Sequence, residues 1–219
     1  MRGVKNNSPL PGNEDQGQHH QAPPPAAANI TGASKFLAYV LRHDPDSIGI
    51  TLGAGGWVPV ADLLAGARAH GRRLDAELID QVLAAPGKQR YELRDGLIRA
   101  SQGHSVQVDL GLEPTTPPPA LYHGTVGRFL DSIFATGLKP GSRTHVHLSA
   151  TRETAVTVGA RRGVPVVLLV DAAKMTTDGH QFFQAANGVW LTAHVPAEFI
   201  AKEEPPTAKA KSRRIAPLS

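Results

Sequence analysis

Arg90-Tyr91-Glu92-Leu93-Arg94-Asp95-Gly96-Leu97-Ile98-Arg99-Ala100 is the stretch that decides how the first half of the chain folds. Two short runs with apolar residues flank Asp95-Gly96. Asp-Gly tolerates the positive φ that a two-residue hairpin turn requires, so the spacing predicts a β-hairpin. Three segments of helical period lie upstream. Phe36, Leu37, Val40 and Leu41 recur on one face, with Ser34 placed as N-cap, and Asp44-Pro45 ends the helix because proline disfavours helical geometry in the residue before it. Gly55-Gly56 turns the chain into Trp57-Val58-Pro59-Val60. A second helix, Ala61–His70, carries Leu63 and Leu64. A third, Asp75–Ala85, carries Leu78, Ile79, Val82 and Leu83, and Pro86-Gly87 stops it.

Three short helices followed by a hairpin is the order of a winged-helix module, a fold that often meets nucleic acid but does not by itself fix a function. The third helix would take the recognition position. Its outward face offers Asp75, Glu77, Asp80 and Gln81, which would repel a DNA backbone and argue against a simple major-groove reader. The formal charge of +4 is not concentrated in the folded region. Residues 203–219 hold +2, residues 1–30 are neutral, and +2 remains for residues 31–202. Any nucleic acid would therefore be held by a local cluster of arginines, not by a basic coat.

Thr115-Thr116-Pro117-Pro118-Pro119 reads as a linker, and the pattern changes beyond it. Leu121-Tyr122-His123 reads as a strand running into Gly124-Thr125. Phe129–Thr136 reads as a helix ended by Gly137. His145–Ser149 alternates like a strand, residues 151–161 are helical in pattern, and Val164–Val170 is a buried strand. Gly188–Thr192 and Phe199-Ile200 add further strand segments. The whole is expected to be α+β. The expected organisation is a disordered tail at 1–30, a winged-helix RNA-binding lobe at 31–112, a linker at 113–119, a second lobe at 120–203 and a disordered basic tail at 204–219.

Composition excludes several classes. The 219 residues include 22 Gly, 18 Pro and no Cys, which removes disulfides, thiol nucleophiles, iron–sulfur clusters and thiolate zinc sites. No apolar run is long enough to span a bilayer, and the N-terminus lacks a signal-peptide pattern. A soluble, cytoplasmic monomer without membrane contact is expected. His19-His20 lie in a polar tail, and no metal site is expected there or elsewhere.

Four polar clusters stand where the apolar pattern does not call for them: Leu41-Arg42-His43, Lys88-Gln89-Arg90-Tyr91, Arg99 with Ser101-Gln102-Gly103-His104-Ser105, and Arg143-Thr144-His145-Val146-His147. Each alone has a plain structural reading. A cation closing a helix gains ~0.3–1 kcal/mol from the dipole, and strand faces are often solvated. Together they describe an anion site, in which several guanidiniums clamp a phosphate and one or two imidazoles exchange protons near neutrality. No dinucleotide or P-loop glycine signature is present, so a nucleotide here is not held in either of those ways. Nor is there a set of carboxylates for Mg²⁺, which disfavours metal-assisted nuclease chemistry.

These motifs, in this order, resemble those of the RNA (tRNA) 2′-phosphotransferase family, KptA type, over roughly residues 33–203. The resemblance rests on Ser34-Lys35-Phe36-Leu37, Leu41-Arg42-His43, Gly56-Trp57-Val58, Lys88–Glu92, Ile98–Ser105, Tyr122–Thr125, Arg143–Ser149 and Asn187–Leu191. Ser101 stands where members often have Asn, and Tyr91 where Phe is common; both changes are mild. The resemblance implies an N-terminal winged-helix RNA lobe and a C-terminal ADP-ribosyltransferase-like NAD lobe. It implies a transferase that removes an internal RNA 2′-monophosphate in two steps, through an ADP-ribosylated RNA phosphate. The products would be 2′-OH RNA, nicotinamide and ADP-ribose 1″,2″-cyclic phosphate. By the same resemblance, Arg42, His43, Arg90 and Arg143 are catalytic. His123, Gly124, Thr125, His147, Ser149 and Val189 bind NAD, and Lys88, Arg99, Gln102 and His104 are candidate contacts to RNA or phosphate.

The chemistry fits the residue types. A 2′-phosphate dianion needs charge-assisted donors to be positioned, and charge builds on phosphoryl oxygens in the second step, where preorganised arginines act most strongly. Val189 stands where many protein-directed ADP-ribosyltransferases carry a Glu that activates the acceptor, which a phosphate dianion does not need. Two rivals remain: an ADP-ribosyltransferase that stops after the first step, and a winged-helix RNA-binding protein without catalysis.

Overall fold

The computed structural model describes residues 26–87 and 89–203. The first helix, α1, spans Ala26–Arg42. It begins well before Ser34, the expected N-cap, and takes in the last residues of the expected N-terminal tail. Alanines, the strongest helix formers, open it, and Ile30 and Ala33 carry the apolar stripe of Leu37, Val40 and Leu41 onto the first core. Asp44 ends the helix as expected and caps a 3₁₀ turn at Pro45–Ile48, its carboxylate accepting from Ser47 N at 3.1 Å.

Strand β1, Val58–Pro59, leads into α2, Val60–Ala69, and then α3, Ala76–Ala84. Asp75 caps α3 by accepting from Leu78 N at 2.8 Å, worth about 1 kcal/mol. β2, Tyr91–Arg94, and β3, Leu97–Ala100, form the expected hairpin. Asp95 and Gly96 both have positive φ, at 52° and 73°, as the primed turn demands. The three strands lie in the order β1-β3-β2. β1 was not expected as a strand, since two residues are too short to show alternation. Ile98 and Ala100 point into the core that α1, α2 and α3 share.

Residues 101–119 carry little regular structure but are tied to both halves. Ser105 N and Val106 N donate to Arg42 O at 2.9 and 3.3 Å, Gly55 N donates to Asp109 O at 3.1 Å, and Thr115 N donates to Phe182 O at 2.8 Å. The segment expected as a linker is thus pinned at its start to the second half. Its polar residues and prolines signalled a break but not the backbone partners that hold it.

The second half contains β4 (Ala120–Val126), α4 (Leu130–Thr136), β5 (Val146–Leu148), α5 (Arg152–Gly159), β6 (Pro165–Asp171), α6 (Ala172–Thr177), β7 (Phe183–Gln184), β8 (Trp190–Thr192) and β9 (Ile200–Lys202). Two antiparallel sheets form, β4-β6-β9 and β5-β8-β7. Tyr122 and Ser149 exchange backbone hydrogen bonds at 2.9 and 2.8 Å and join the sheets. The core between them includes Leu121, Leu148, Leu168, Met175, Phe182 and Trp190. The architecture is mixed α and β with small antiparallel sheets. Among the described residues, no helix is long and apolar enough to cross a membrane.

Candidate active site

The last turn of α1 delivers Arg42 and His43 to the seam between the two halves. Arg42 is half-buried. Its Nη2 donates to Arg90 O at 3.2 Å, and its guanidinium lies 5.8 Å from the Tyr91 ring centroid. The backbone of the 101–106 segment presses against it: Gly103, at φ 92°, is buried beside the Arg42 guanidinium. Arg90, at the foot of β2, is exposed and donates to Ser34 Oγ at 3.4 Å, while the Tyr91 hydroxyl donates to Ser34 O. Ser34 is therefore a mid-helix anchor for two neighbours, not a helix cap.

His43 is exposed, with Nδ1 2.9 Å from Ser105 Oγ. Thr144 N donates to His104 O at 3.1 Å, which brings Arg143 of the second half to the same seam. Arg143 Nη1 lies 3.4 Å from His147 Nδ1, and His123 Nδ1 lies 3.1 Å from His147 O. Arg90, Arg42, His43 and Ser105 are joined on one side of the seam and Arg143, His147 and His123 on the other, and the backbone bond from Thr144 to His104 brings the two groups together. Residues more than a hundred positions apart in the sequence form one constellation.

Its electrostatics are those of a site awaiting an anion. Burial lowers the pKa of Arg42, and the positive charges of Arg90 and Arg143 lower it further, against an opposing effect of Tyr91. Burial, then Arg42 and Arg143, lower that of His43. Burial and the nearby Arg162 lower that of Arg143. His147 is pushed down to about 3, mainly by burial and then by Arg143. Burial lowers His123 also, countered in part by its bond to His147 O. Cations gathered this closely repel one another, and a bound phosphate relieves that repulsion.

A comparison with known protein families matches residues 28–194 to "RNA 2'-phosphotransferase, Tpt1 / KptA family". A protein from Acaryochloris marina is 50% identical over 177 residues, covering 80% of this chain and 98% of its own length. One from Agrobacterium fabrum is 56% identical over 172 residues (78% and 92%), and one from Streptomyces coelicolor 55% identical over 167 (76% and 92%). All three carry the name "Probable RNA 2'-phosphotransferase". The chain belongs to the RNA 2′-phosphotransferase family.

The remaining sites of this family member divide by position. Gly124 faces α5, and a β-carbon there would collide with Ala155 O; its role in the fold is to let α5 lie against β4. Thr125 is buried on the same strand, and Ser149 joins the sheets through its backbone. Val189 is 7% exposed and packs with Ala185 and Leu191, so it offers shape and no charge. Among the RNA-contact candidates, Gln102 is half-buried in the seam segment. His104 is 0% exposed, which removes it from the surface any RNA could touch. Arg99 Nη1 donates to Gly55 O and Leu110 O at 3.1 Å each and Nη2 pairs with Glu92 at 2.9 Å, so both ends of its fork already serve the protein's own acceptors. A strand-end Arg and a His in a polar run look like ligands in sequence; burial and local carbonyls claim them instead. Lys88 lies outside the described residues.

Two contributors were not singled out by sequence reasoning. Ser105 was one polar residue in a polar run, and only the fold puts its hydroxyl against His43. Arg162, at the end of the 3₁₀ turn Ala160–Arg162, sits near enough to bear on both His123 and Arg143. It lies one residue beyond the segment expected to be helical, where no local pattern marks it.

Proposed function

We propose that this chain removes a 2′-phosphate from RNA and that NAD⁺ is the co-substrate receiving it. The carrying observation is that the backbone bond between His104 and Thr144 brings Arg42, His43 and Arg90 of the first half to the same seam as Arg143, His147 and His123 of the second. Family membership gives the reaction class, and the constellation supports the choice of residues. In this reading, residues 31–112 form a winged-helix RNA lobe and residues 120–203 an ADP-ribosyltransferase-like NAD lobe, with the described segment 113–119 between them. The element order α1-β1-α2-α3-β2-β3, with its three strands in the order β1-β3-β2, supports the first assignment.

The residues fit NAD⁺ on an observation of their own. His147 Nε2 is buried without a partner among protein atoms, and His147 is neutral at physiological pH, so that nitrogen can meet a ribose hydroxyl without adding charge. Arg143 and Arg162 supply positive potential for a pyrophosphate. NAD⁺ supplies an electrophilic ribose carbon with nicotinamide as leaving group. Arg42, Arg90 and Arg143 would orient the RNA 2′-phosphate oxygen toward that carbon, and the same guanidiniums would take up charge when a ribose hydroxyl later attacks phosphorus and displaces the RNA 2′-oxygen, which leaves as the 2′-hydroxyl. His43, largely neutral near pH 7, is placed to accept that hydroxyl's proton. Buried Val189 leaves no carboxylate at its position to activate a protein acceptor.

The test is incubation of the chain with NAD⁺ and an oligoribonucleotide bearing one internal 2′-phosphate. Formation of 2′-OH RNA and ADP-ribose 1″,2″-cyclic phosphate in equal amounts is expected. Transfer that halts at ADP-ribosylated RNA would favour the single-step transferase. Binding without nicotinamide release would favour a non-catalytic RNA-binding protein.

A further inference from the structure

The strand bearing an internal 2′-phosphate has to enter and leave the site, and the surface beside the arginines shows one route. A groove of about 470 Å³ opens at Arg42 and Arg90 and passes between α1 and the end of α3, with Ser34 and Lys35 on one wall. It shares Leu83, Gln89 and Tyr91 with a second recess of about 810 Å³, which Trp57 and Arg94 line on the outer side of the hairpin sheet. The two lie side by side between the phosphate site and Trp57.

Trp57 is unusual for its place. The chain has two tryptophans; Trp190 is buried in the second core, whereas Trp57 is only half-buried. Two guanidiniums approach its ring, Arg99 at 4.6 Å and Arg94 at 5.2 Å from the centroid. They differ in freedom. Arg99, 14% exposed, is fixed by two carbonyls and by Glu92. The Arg94 side chain is 72% exposed, and its contact to Asp95 is a loose 3.9 Å. One of the two guanidiniums is thus locked and the other is free to move aside. An aromatic ring beside a movable guanidinium is the chemistry that holds an unpaired nucleobase, since stacking accepts any base and arginine adds cation–π attraction and a phosphate contact.

We propose that Trp57, with Arg94 beside it, is a stacking platform for an unpaired nucleobase of the RNA strand that runs along this groove from the phosphate site. The inference rests on RNA being the substrate, and it adds a strand direction and a single-stranded requirement that the reaction itself does not specify.

The test uses the full chain without NAD⁺, titrated with a single-stranded hexaribonucleotide carrying one internal 2′-phosphate and with the corresponding 2′-phosphorylated dinucleotide. Tryptophan fluorescence should be quenched by the hexamer, and the quenching should vanish in Trp57→Phe, which leaves only the buried Trp190. Trp57→Ala should weaken hexamer binding roughly tenfold, within the range found for loss of one stacked base, and weaken dinucleotide binding less, so the advantage of the longer RNA narrows. Arg94→Glu changes an exposed side chain and should act in the same direction; it serves where Trp57→Ala does not fold. Quenching that survives Trp57→Phe, or equal losses for the two lengths in Arg94→Glu, overturns the platform. Turnover is read separately. A chain that is quenched through Trp57 but releases no cyclic phosphate keeps the platform and loses the activity, and a chain that turns over without quenching does the reverse.

Discussion

Ser105 holds His43 twice over: its hydroxyl lies 2.9 Å from His43 Nδ1, and its backbone N–H donates to the carbonyl of Arg42, the residue before, at 2.9 Å. Ring and helix end are therefore fixed by one residue. With Nδ1 engaged, Nε2 is the nitrogen left to exchange a proton. Ser105→Ala should keep the backbone bond and lose the ring contact. A drop in kcat of roughly 3- to 10-fold is expected, the equivalent of about 1 kcal/mol for one hydrogen bond. Ser105→Thr, which retains the hydroxyl, should recover most of it. The pH profile of kcat should also move in the alanine variant, since His43 would lose the partner of one ring nitrogen. An unchanged profile together with unchanged kcat would show that Ser105 only braces the backbone.

Arg42, His43, Arg90 and Arg143 should each matter for chemistry more than for folding. Replacement of any one by Ala should cost about 2–4 kcal/mol of transition-state stabilisation. Arg90 and Arg143 are exposed, so their variants should show wild-type thermal melts. Arg42→Lys should not restore activity, because an ammonium cannot both reach Arg90 O and present a fork to phosphate. Single-turnover rates with saturating NAD⁺ measure the effect; four near-wild-type rates would remove the assignment.

Gly124 has a different kind of importance. The β-carbon of Gly124→Ala would meet Ala155 O, a backbone atom of α5 that cannot swing away. The expected result is destabilisation of the order of 1–3 kcal/mol from overpacking, with α5 displaced from β4. Chemical denaturation should show a lowered midpoint. Weak NAD⁺ binding in this variant with an undisturbed midpoint would instead point to a direct role for the glycine.

Much of this was legible in sequence, and the reasons are local. The hairpin was readable because Asp95-Gly96 dictates its own turn geometry, and Asp44-Pro45 and Asp75 mark helix ends by short-range hydrogen bonds. The start of α1 was not, because polar Asn29 and Thr31 mask the stripe that Ile30 and Ala33 continue. The arginines and histidines stood out as polar groups in apolar surroundings, yet no periodicity says that Arg143 faces Arg42. That pairing depends on Thr144 N finding His104 O. His104 shows the converse: its motif looked like a ligand, and only burial reveals a structural residue.

Burial of His104 and His147 makes stability depend on pH with a definite sign. His104 is pushed down to about 4 by burial and by Arg42, His43 and Arg99, and His147 to about 3. Both should regain an ordinary value near 6.5 when unfolded. Below pH 6.5 the unfolded chain then binds more protons than the folded one. Stability is full above that value and falls as the pH drops toward 4, by on the order of 3 kcal/mol for His104 alone. Melting temperatures between pH 7 and 4 should fall, and the slope should flatten in His104→Phe, which keeps a ring of similar shape without a titrating group. An equal slope in the two proteins would place the acid sensitivity elsewhere.

The two steps of the proposed reaction should separate by residue. In the proposed reading His123, tied to His147 O, serves the NAD⁺ side, while Arg90 and Arg143 serve the phosphate. The first step needs the ribose correctly posed and a phosphate oxygen nearby, and the dianion is itself nucleophilic. The second step additionally needs donors on the phosphoryl oxygens as the ribose hydroxyl attacks phosphorus, and that is where preorganised guanidiniums contribute most. Arg90→Ala or Arg143→Ala should therefore slow the second step more than the first, and ADP-ribosylated RNA should accumulate. His123→Ala should slow the first step, so that substrate persists and no intermediate builds up. Gels of radiolabelled 2′-phosphate RNA, sampled during a single turnover, resolve substrate, intermediate and product. The distinction holds within Arg143 itself: it also touches His147 at 3.4 Å, so its alanine variant should show some loss in the first step that Arg90→Ala lacks. Accumulation in His123→Ala, with none in either arginine variant, would reverse this division of labour while leaving the overall reaction intact.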